Sequence, residues 1–257
     1  EKRVAQIEKE ILSQRSKFSA QSVKTEVPRP PSPDKAHGPA ILSAGAGVSN
    51  KGSFADLTLK PVLHDLISRE DGYEPLTQID MLKLSLRFNN RYEKVFIDGF
   101  DFIRIFSIAE LRNWVKKLSW NLSLGTDADY RKNTDGLKYI SYVIRGGPGI
   151  GFSTHIIKRE TYFLFWENRF QTDTEPNAVF YSGIMGGFVL KISDLIDMIN
   201  HYSICHSILS TGSNREFIQK IYSELALHLS DSRDIRLKGK ITDFDYYEYT
   251  LSVALFF

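Results

Sequence analysis

The sequence predicts an α+β domain with mostly antiparallel sheet packed with helices, carried behind an amino-terminal amphipathic helix and a proline- and glycine-rich linker. Three observations predict it. Apolar residues at the start follow a heptad. A proline cluster follows that no helix or sheet accepts. From residue 54 onward, strand-like alternation mixes with helix-like apolar spacing, without the regular βαβ order of a parallel sheet.

The elements follow in order. Residues 1–18 (EKRVAQIEKEILSQRSKF) place Val4, Ile7, Ile11, Gln14 and Phe18 at spacings of three and four, a seam for a short coiled coil or a docked helix. Residues 19–53 read as a flexible linker. VPRPPSPDK removes backbone donors and fixes φ, and SAGAGVSNKGS is small throughout. Pro28, Pro30, Pro31 and Pro33 form either a spacer or a docking peptide for an aromatic groove.

Residues 54–257 read as one globular domain, with a subdivision allowed near 121–137. Helices are expected at 56–68, from Ser107 to about Ser119 behind a capping box with Glu110, from Ser193 to Leu209, and from Asn214 to Leu229. Strands are expected at 81–88, where Leu82, Leu84, Leu86 and Phe88 alternate with Lys83, Ser85 and Arg87 on a wet face. Others are expected at 139–144, 153–157 and 161–166, and in the closing segment that aligns Tyr247, Tyr249, Leu251, Val253, Leu255 and Phe257. Turns are expected at Asp98-Gly99 and at GIMGG (183–187), each the tip of a hairpin.

Composition bounds the function. Hydrophobic residues make up 42% and charged residues 25% of 257, an ordinary globular balance, and 17 Phe with 12 Tyr favour sheet. A net charge of +2 is too small to imply nucleic-acid binding by the chain as a whole. Residues 1–35 hold eight Lys/Arg against five acids, a weakly basic arm in which Lys2, Arg3, Lys9, Arg15, Lys17 and Lys24 are candidate contacts to an anionic surface. Cys205, the single cysteine, excludes an internal disulfide and points to a reducing, intracellular setting, cytoplasmic or nuclear. No apolar run reaches the roughly 18 residues of a spanning helix. The chain starts at Glu1 rather than Met, which suggests a processed product or a fragment.

Few residues carry chemistry. RGGPGIGF (145–152) has the glycines of a phosphate loop but is followed by strand-like FSTHIIKRETYFLFW rather than a helix, so a turn is the better reading. His201 and Cys205 would share a helix face, which is two metal ligands where a site needs more. Asp243 and Asp245 share a strand face and offer either paired carboxylates or the border of a sheet. No familiar catalytic motif is present, and no cofactor or metal is implied.

The stretch KRETYFLFWENRF (158–170), with the strand, Gly/Pro loop and Trp114 that precede it, resembles the central part of rhabdovirus matrix proteins over about residues 81–170. The resemblance implies an α+β domain behind a mobile arm, oligomerisation beneath a membrane, and contact with nucleoprotein. The expected function is therefore a non-catalytic assembly protein that associates with itself and with protein partners through Val4, Ile7, Ile11 and Phe18. An intracellular coiled-coil adaptor is the alternative. An enzyme or toxin built on Cys205 or on Asp243 and Asp245 is the third reading.

Overall fold

The computed structural model describes residues 2–15, 37–69, 73–91, 93–111, 117–129, 139–154, 159–172, 178–210 and 217–257. Two compact units divide the chain, residues 1–30 and 31–257. In the first, α1 spans Lys2–Arg15, and its Val4, Ile7, Ile11 and Leu12 are exposed. It is the one helix among the described residues, and no second helix there pairs with its seam.

The second unit is all β. Its strands are β1 (Ile41–Ser49), β2 (Gly52–Lys60), β3 (Val62–His64), β4 (Thr77–Asn89), β5 (Lys94–Ser107), β6 (Ser119–Asp129) and β7 (Tyr139–Phe152). They continue as β8 (Glu160–Thr172), β9 (Ala178–Ser193), β10 (Ile196–Ser210), β11 (Phe217–Ser230), β12 (Arg233–Thr242) and β13 (Tyr246–Phe256). Every ladder is antiparallel and joins sequence neighbours, save two. β1 pairs with β13 from Ile41↔Phe256 to Ser49↔Glu248, and β2 pairs with β4 from Phe54↔Asn89 to Leu59↔Leu84. The sheet therefore closes into a twelve-stranded barrel. β3, offset from β2 at Pro61, continues the pairing along β4 from Val62↔Met81 to His64↔Ile79. Both chain ends of the barrel meet at one rim, where Ala40 and Phe257 exchange backbone hydrogen bonds of 3.1 and 3.0 Å. That rim is called the terminal rim below.

The α+β expectation is thus overturned, and with it each helix of the barrel unit. Residues 196–210 and 217–230 are the strands β10 and β11, and 52–60 is β2. After Ser107 no helix forms among the described residues. Ile108 donates to Leu76 O, Glu110 bridges to Gly151, and residues 112–116 lie outside the described set. The expected turns are also strand. Asp98 is the extra residue of a bulge in β5, between Gly99↔Ser85 and Ile97↔Leu86. RGGPGIGF and GIMGG lie inside β7 and β9. Gly147 is glycine because a Cβ there would fall 1.7 Å from Trp166 O on the neighbouring strand. SAGAGVS, expected as linker, is β1, and Gly47 leaves room for the Phe54 ring, 2.5 Å from where its Cβ would be. Residues 121–129, within the stretch where a subdivision is allowed, belong to β6, while the strand expected at 153–157 is irregular at 153–154 and otherwise outside the described set.

The alternation read from the sequence is real, but its faces are inverted. On β13 the exposed side chains are Tyr247, Tyr249, Leu251, Val253 and Leu255, and the buried ones include Glu248, Thr250 and Ser252. On β4, Leu82 and Phe88 are exposed while Arg87 is 2% exposed. The same holds around the ring, with Leu42, Leu57, Leu122, Leu124, Ile144, Leu164, Trp166, Ile184 and Leu237 outside, and Asp80, Asn121, Ser123, Ser141, Glu167, Arg169 and Arg236 inside. A barrel with an apolar exterior and a polar interior has the pattern that a lipid surround favours, and its strands of nine to sixteen residues, the three-residue β3 aside, match a hydrocarbon layer that needs roughly 9–11. Exposed aromatics mark both rims, with Phe217, Phe244 and Tyr247 at one, and Trp120, Phe152 and Phe257 at the terminal rim. The intracellular expectation is corrected accordingly: this surface points to a membrane. No described helix is long and apolar enough to cross one, which leaves a strand barrel unaffected.

If the exterior meets lipid, Leu251→Arg at the middle of β13 should destabilise the barrel by about 2–4 kcal/mol in bilayers. The difference in denaturant midpoints of the two proteins in vesicles measures it.

Candidate functional site

The lumen holds the polar groups that the exterior lacks, and it divides into two halves. Toward the terminal rim an apolar cluster crosses it. The chain between β3 and β4 turns inward at Asp65–Ser68, closed by Ser68 N donating to Asp65 O at 3.1 Å, and buries Leu66, Ile67 and Ser68 almost completely. Leu66 and Ile67 pack with Phe106, Ile108, Phe163, Phe165, Met185, Val189, Ile199 and Ala226, which come from opposite walls. Phe106 and Phe165 meet edge to face at 5.6 Å. This inner plug packs into the section it occupies.

Ion pairs fasten the plug. Arg236 Nη1 donates to Asp65 at 2.7 Å, its Nη2 donates to Ser68 Oγ at 3.1 Å and to Asp234 at 3.1 Å, and Lys60 donates to Asp65 at 3.0 Å. His228 sits between Asp234 (2.8 Å) and Asp197 (3.2 Å), the latter also 3.8 Å from Lys191. Outside the plug, toward solvent at the terminal rim, a vestibule of about 1040 Å³ is lined by Arg69, Glu74, Lys117, Arg159, Lys191 and Asp194 among others. Beside it Tyr73 stacks between His37 (4.7 Å) and His64 (4.4 Å). His37 precedes β1, and burial pushes its imidazole below the usual pKa.

The other half of the lumen is charged. Arg87 pairs with Asp56 (2.6 Å), Asp98 (3.4 Å) and Glu248 (2.6 Å) and lies 3.8 Å over the Phe54 ring. Asp127 pairs with Arg169 at 2.9 Å and with Lys220. Between these clusters are two cavities of about 190 and 170 Å³. Groups so placed face water or small polar solutes, and they are shielded from partners as large as a protein.

The residues singled out from sequence fall elsewhere. Val4, Ile7, Ile11, Lys9 and Arg15 lie exposed on α1, and the side chains of Lys2 and Arg3 are not described. Phe18, Lys17, Lys24, Pro28, Pro30, Pro31 and Pro33 lie outside the described residues. Cys205 is on a strand, buried with Val179, Tyr181 and Ile218, so it shares no helix face with His201. Asp243 belongs to the β12–β13 turn, where its carboxylate accepts from Gln219 N at 2.8 Å, and Asp245 N donates to Thr242 O in the same turn. Neither cluster assembles a reaction centre, so the enzyme and toxin readings lose their basis, and no group of three or more metal-ligating side chains occurs among the described residues. The luminal arginines were missed. Their signal was Arg87, Arg104, Arg145, Arg169 and Arg236, each inside an otherwise alternating strand.

A family model described as "Domain of unknown function (DUF7840)" matches residues 30–256. No curated protein matches the chain. Similar solved structures include an outer membrane channel from Pseudomonas putida F1 (6% identity, TM-score 0.49, covering 86% of this chain and 96% of that one). The NanC porin is another (7%, 0.47, 83% and 98%), as is the KdgM porin in complex with disordered oligogalacturonate (7%, 0.46, 84% and 99%). The rhabdovirus matrix resemblance is overturned: KRETYFLFWENRF falls largely within β8, one wall of a closed barrel, and the matched family spans the whole barrel. The assembly-protein, adaptor and coiled-coil expectations fall with it, as does the expectation of protein or nucleoprotein partners met through the arm. The barrel has an apolar outer belt and an interior with small polar cavities instead.

Arg236 faces three carboxylates, so Arg236→Ala should cost roughly 3–5 kcal/mol of barrel stability. The double variant Asp65→Ala/Arg236→Ala should lose less than the sum of the two single variants, because the sites are coupled. Equilibrium unfolding of the four proteins checks both statements.

Proposed function

The chain belongs to the DUF7840 family, and from its barrel we propose that it spans a membrane as a non-enzymatic conduit for small polar solutes, held shut in this state by the Asp65–Ser68 plug. The observation that carries the reading is the side-chain division along the strands, with apolar groups outward and paired charges inward. Membrane-spanning strands must satisfy every backbone donor and acceptor within the sheet, and the two closing ladders do so. A charged lumen has no use in a barrel that is only an anchor, because a packed apolar core stabilises such an object at least as well. An apolar constriction of the kind built by Leu66, Ile67, Phe106 and Phe165 stops ions by excluding water.

The test is conductance across planar bilayers. The wild-type barrel should insert and conduct little. Leu66→Glu/Ile67→Glu places charges against the apolar cluster and should raise conductance well above the wild-type level, while heat-modifiable electrophoretic mobility confirms that the barrel still forms. A folded, inserted double variant that conducts no more than wild type would contradict the conduit reading.

A further inference from the structure

The charged half of the lumen contains one set of groups that its neighbours leave unmatched. Arg104 on β5, Ser123 on β6 and Arg145 on β7 stand in a single register row, paired Arg104↔Ser123 and Ser123↔Arg145. The small serine leaves space between two guanidinium groups two strands apart, roughly 10 Å of sheet. The row continues to Arg169, which differs: Asp127 and Gln171 engage its guanidinium. Among the described residues, neither Arg104 nor Arg145 has a carboxylate at ion-pair distance, and neither does Lys240 on the far wall. All of them line the cavity of about 190 Å³, together with Asn121, Glu167 and His201.

Four polar atoms on these lining residues are buried without a hydrogen-bond partner: Arg104 Nε, Asn121 Nδ2, His201 Nδ1 and Glu167 Oε2. Asn121 is 7% exposed and Glu167 is 5% exposed. Buried polar groups of folded chains are normally matched, so a set of orphans converging on one cavity marks a binding site. Its chemistry can be read from the set. Three atoms can donate and one can only accept when ionised. The cavity is lined by five cations (Lys83, Arg104, Arg145, Lys220 and Lys240) and four carboxylates (Asp98, Asp101, Asp127 and Glu167), and of the cations Arg104, Arg145 and Lys240 have no carboxylate at ion-pair distance among the described residues.

We propose that Arg104 and Arg145, flanking Ser123, bind a small dianionic oxyanion that also carries a hydroxyl, monohydrogen phosphate being the simplest. Its oxygens accept from both arginines, Asn121 and His201, and its hydroxyl donates to Glu167. Guanidinium groups suit this ligand because their planar N–H pairs match oxyanion geometry. Glu167 sets the selectivity, since it accepts a proton-bearing oxygen and repels a dianion with no hydrogen, such as sulfate. The inference rests on the lumen reading above and names what that lumen takes up.

The test is binding to the detergent-folded barrel, followed by calorimetry and by the shift in melting temperature at mildly alkaline pH, with inorganic phosphate, sulfate and chloride as probes. Phosphate should bind and raise the melting temperature, and sulfate and chloride should do so less. Arg104→Gln and Arg145→Gln should each weaken phosphate binding about tenfold, and Lys94→Gln on the exposed start of β5 should not. Glu167→Gln should narrow or reverse the preference for phosphate over sulfate. The proposal is overturned if phosphate produces neither heat nor a melting shift, if the folded Arg104→Gln/Arg145→Gln variant binds like wild type, or if sulfate binds as well as phosphate to the unaltered barrel. Binding in detergent requires no membrane conduction, so a barrel that binds phosphate yet fails to conduct sinks the conduit reading alone. One that conducts after plug disruption yet ignores phosphate sinks this inference alone.

Discussion

The ladder between β1 and β13 is the constraint on which the rest of the molecule depends. Nine residue pairs join the first strand of the barrel to the last and turn an open sheet into a ring. An open sheet would present two rows of unpaired N–H and C=O groups, each costing several kcal/mol in hydrocarbon. Closure removes both edges, and only then is an apolar exterior compatible with a folded state. The composition of β1 follows from its place. Its Ser-Ala-Gly-Ala-Gly run brings β1 close to β13 and leaves the lumen side open for Phe54, which supports Arg87. A segment that reads as slack linker is therefore the joint of the barrel.

Closure also fixes the interior. With an apolar exterior, the charged side chains of the strands gather inward, and they then have to be matched within a narrow space. Most are matched in clusters around a single hub: Arg87 among Asp56, Asp98 and Glu248, Asp127 between Arg169 and Lys220, and Arg236 among Asp65, Asp234 and Glu224. The Arg236 hub differs because one of its partners, Asp65, comes from the inward loop rather than from the wall. It ties the plug to the barrel, while Leu66 and Ile67 pack into the apolar cluster. The plug is held by side-chain contacts and ion pairs, and the ring by backbone ladders, so the two rest on separate interactions.

Much of the strand content was legible, and the architecture was not. The alternation in MLKLSLRF and in YYEYTLSVALF is unambiguous, yet the same period two describes a sheet with a wet face and a barrel wall with a lipid face. Nothing in the pattern says which side meets water. The helix-like segments mislead for a different reason. On β11 the outer face supplies Phe217, Ile221, Leu225 and Leu229, while the inner face supplies Ile218, Tyr222 and Ala226, so apolar residues recur at intervals of four. Such spacing arises whenever a lumen is partly apolar, as it is near the plug. Asp98-Gly99 carries a turn signal but occupies a bulge, because a ring of curved strands needs local extra residues where a flat hairpin needs a tip. The candidate site was legible only as isolated arginines. Their meaning depends on the Arg104–Ser123–Arg145 register, which joins residues from three strands.

The most direct test of the inverted barrel is site-directed spin labelling along β13 in lipid vesicles, from position 247 to 255 in a Cys205→Ala background. Collision with oxygen dissolved in the bilayer should peak at 249, 251, 253 and 255, and fall at 248, 250, 252 and 254, which face the lumen. A flat profile, or oxygen access highest at the even positions, would contradict the account.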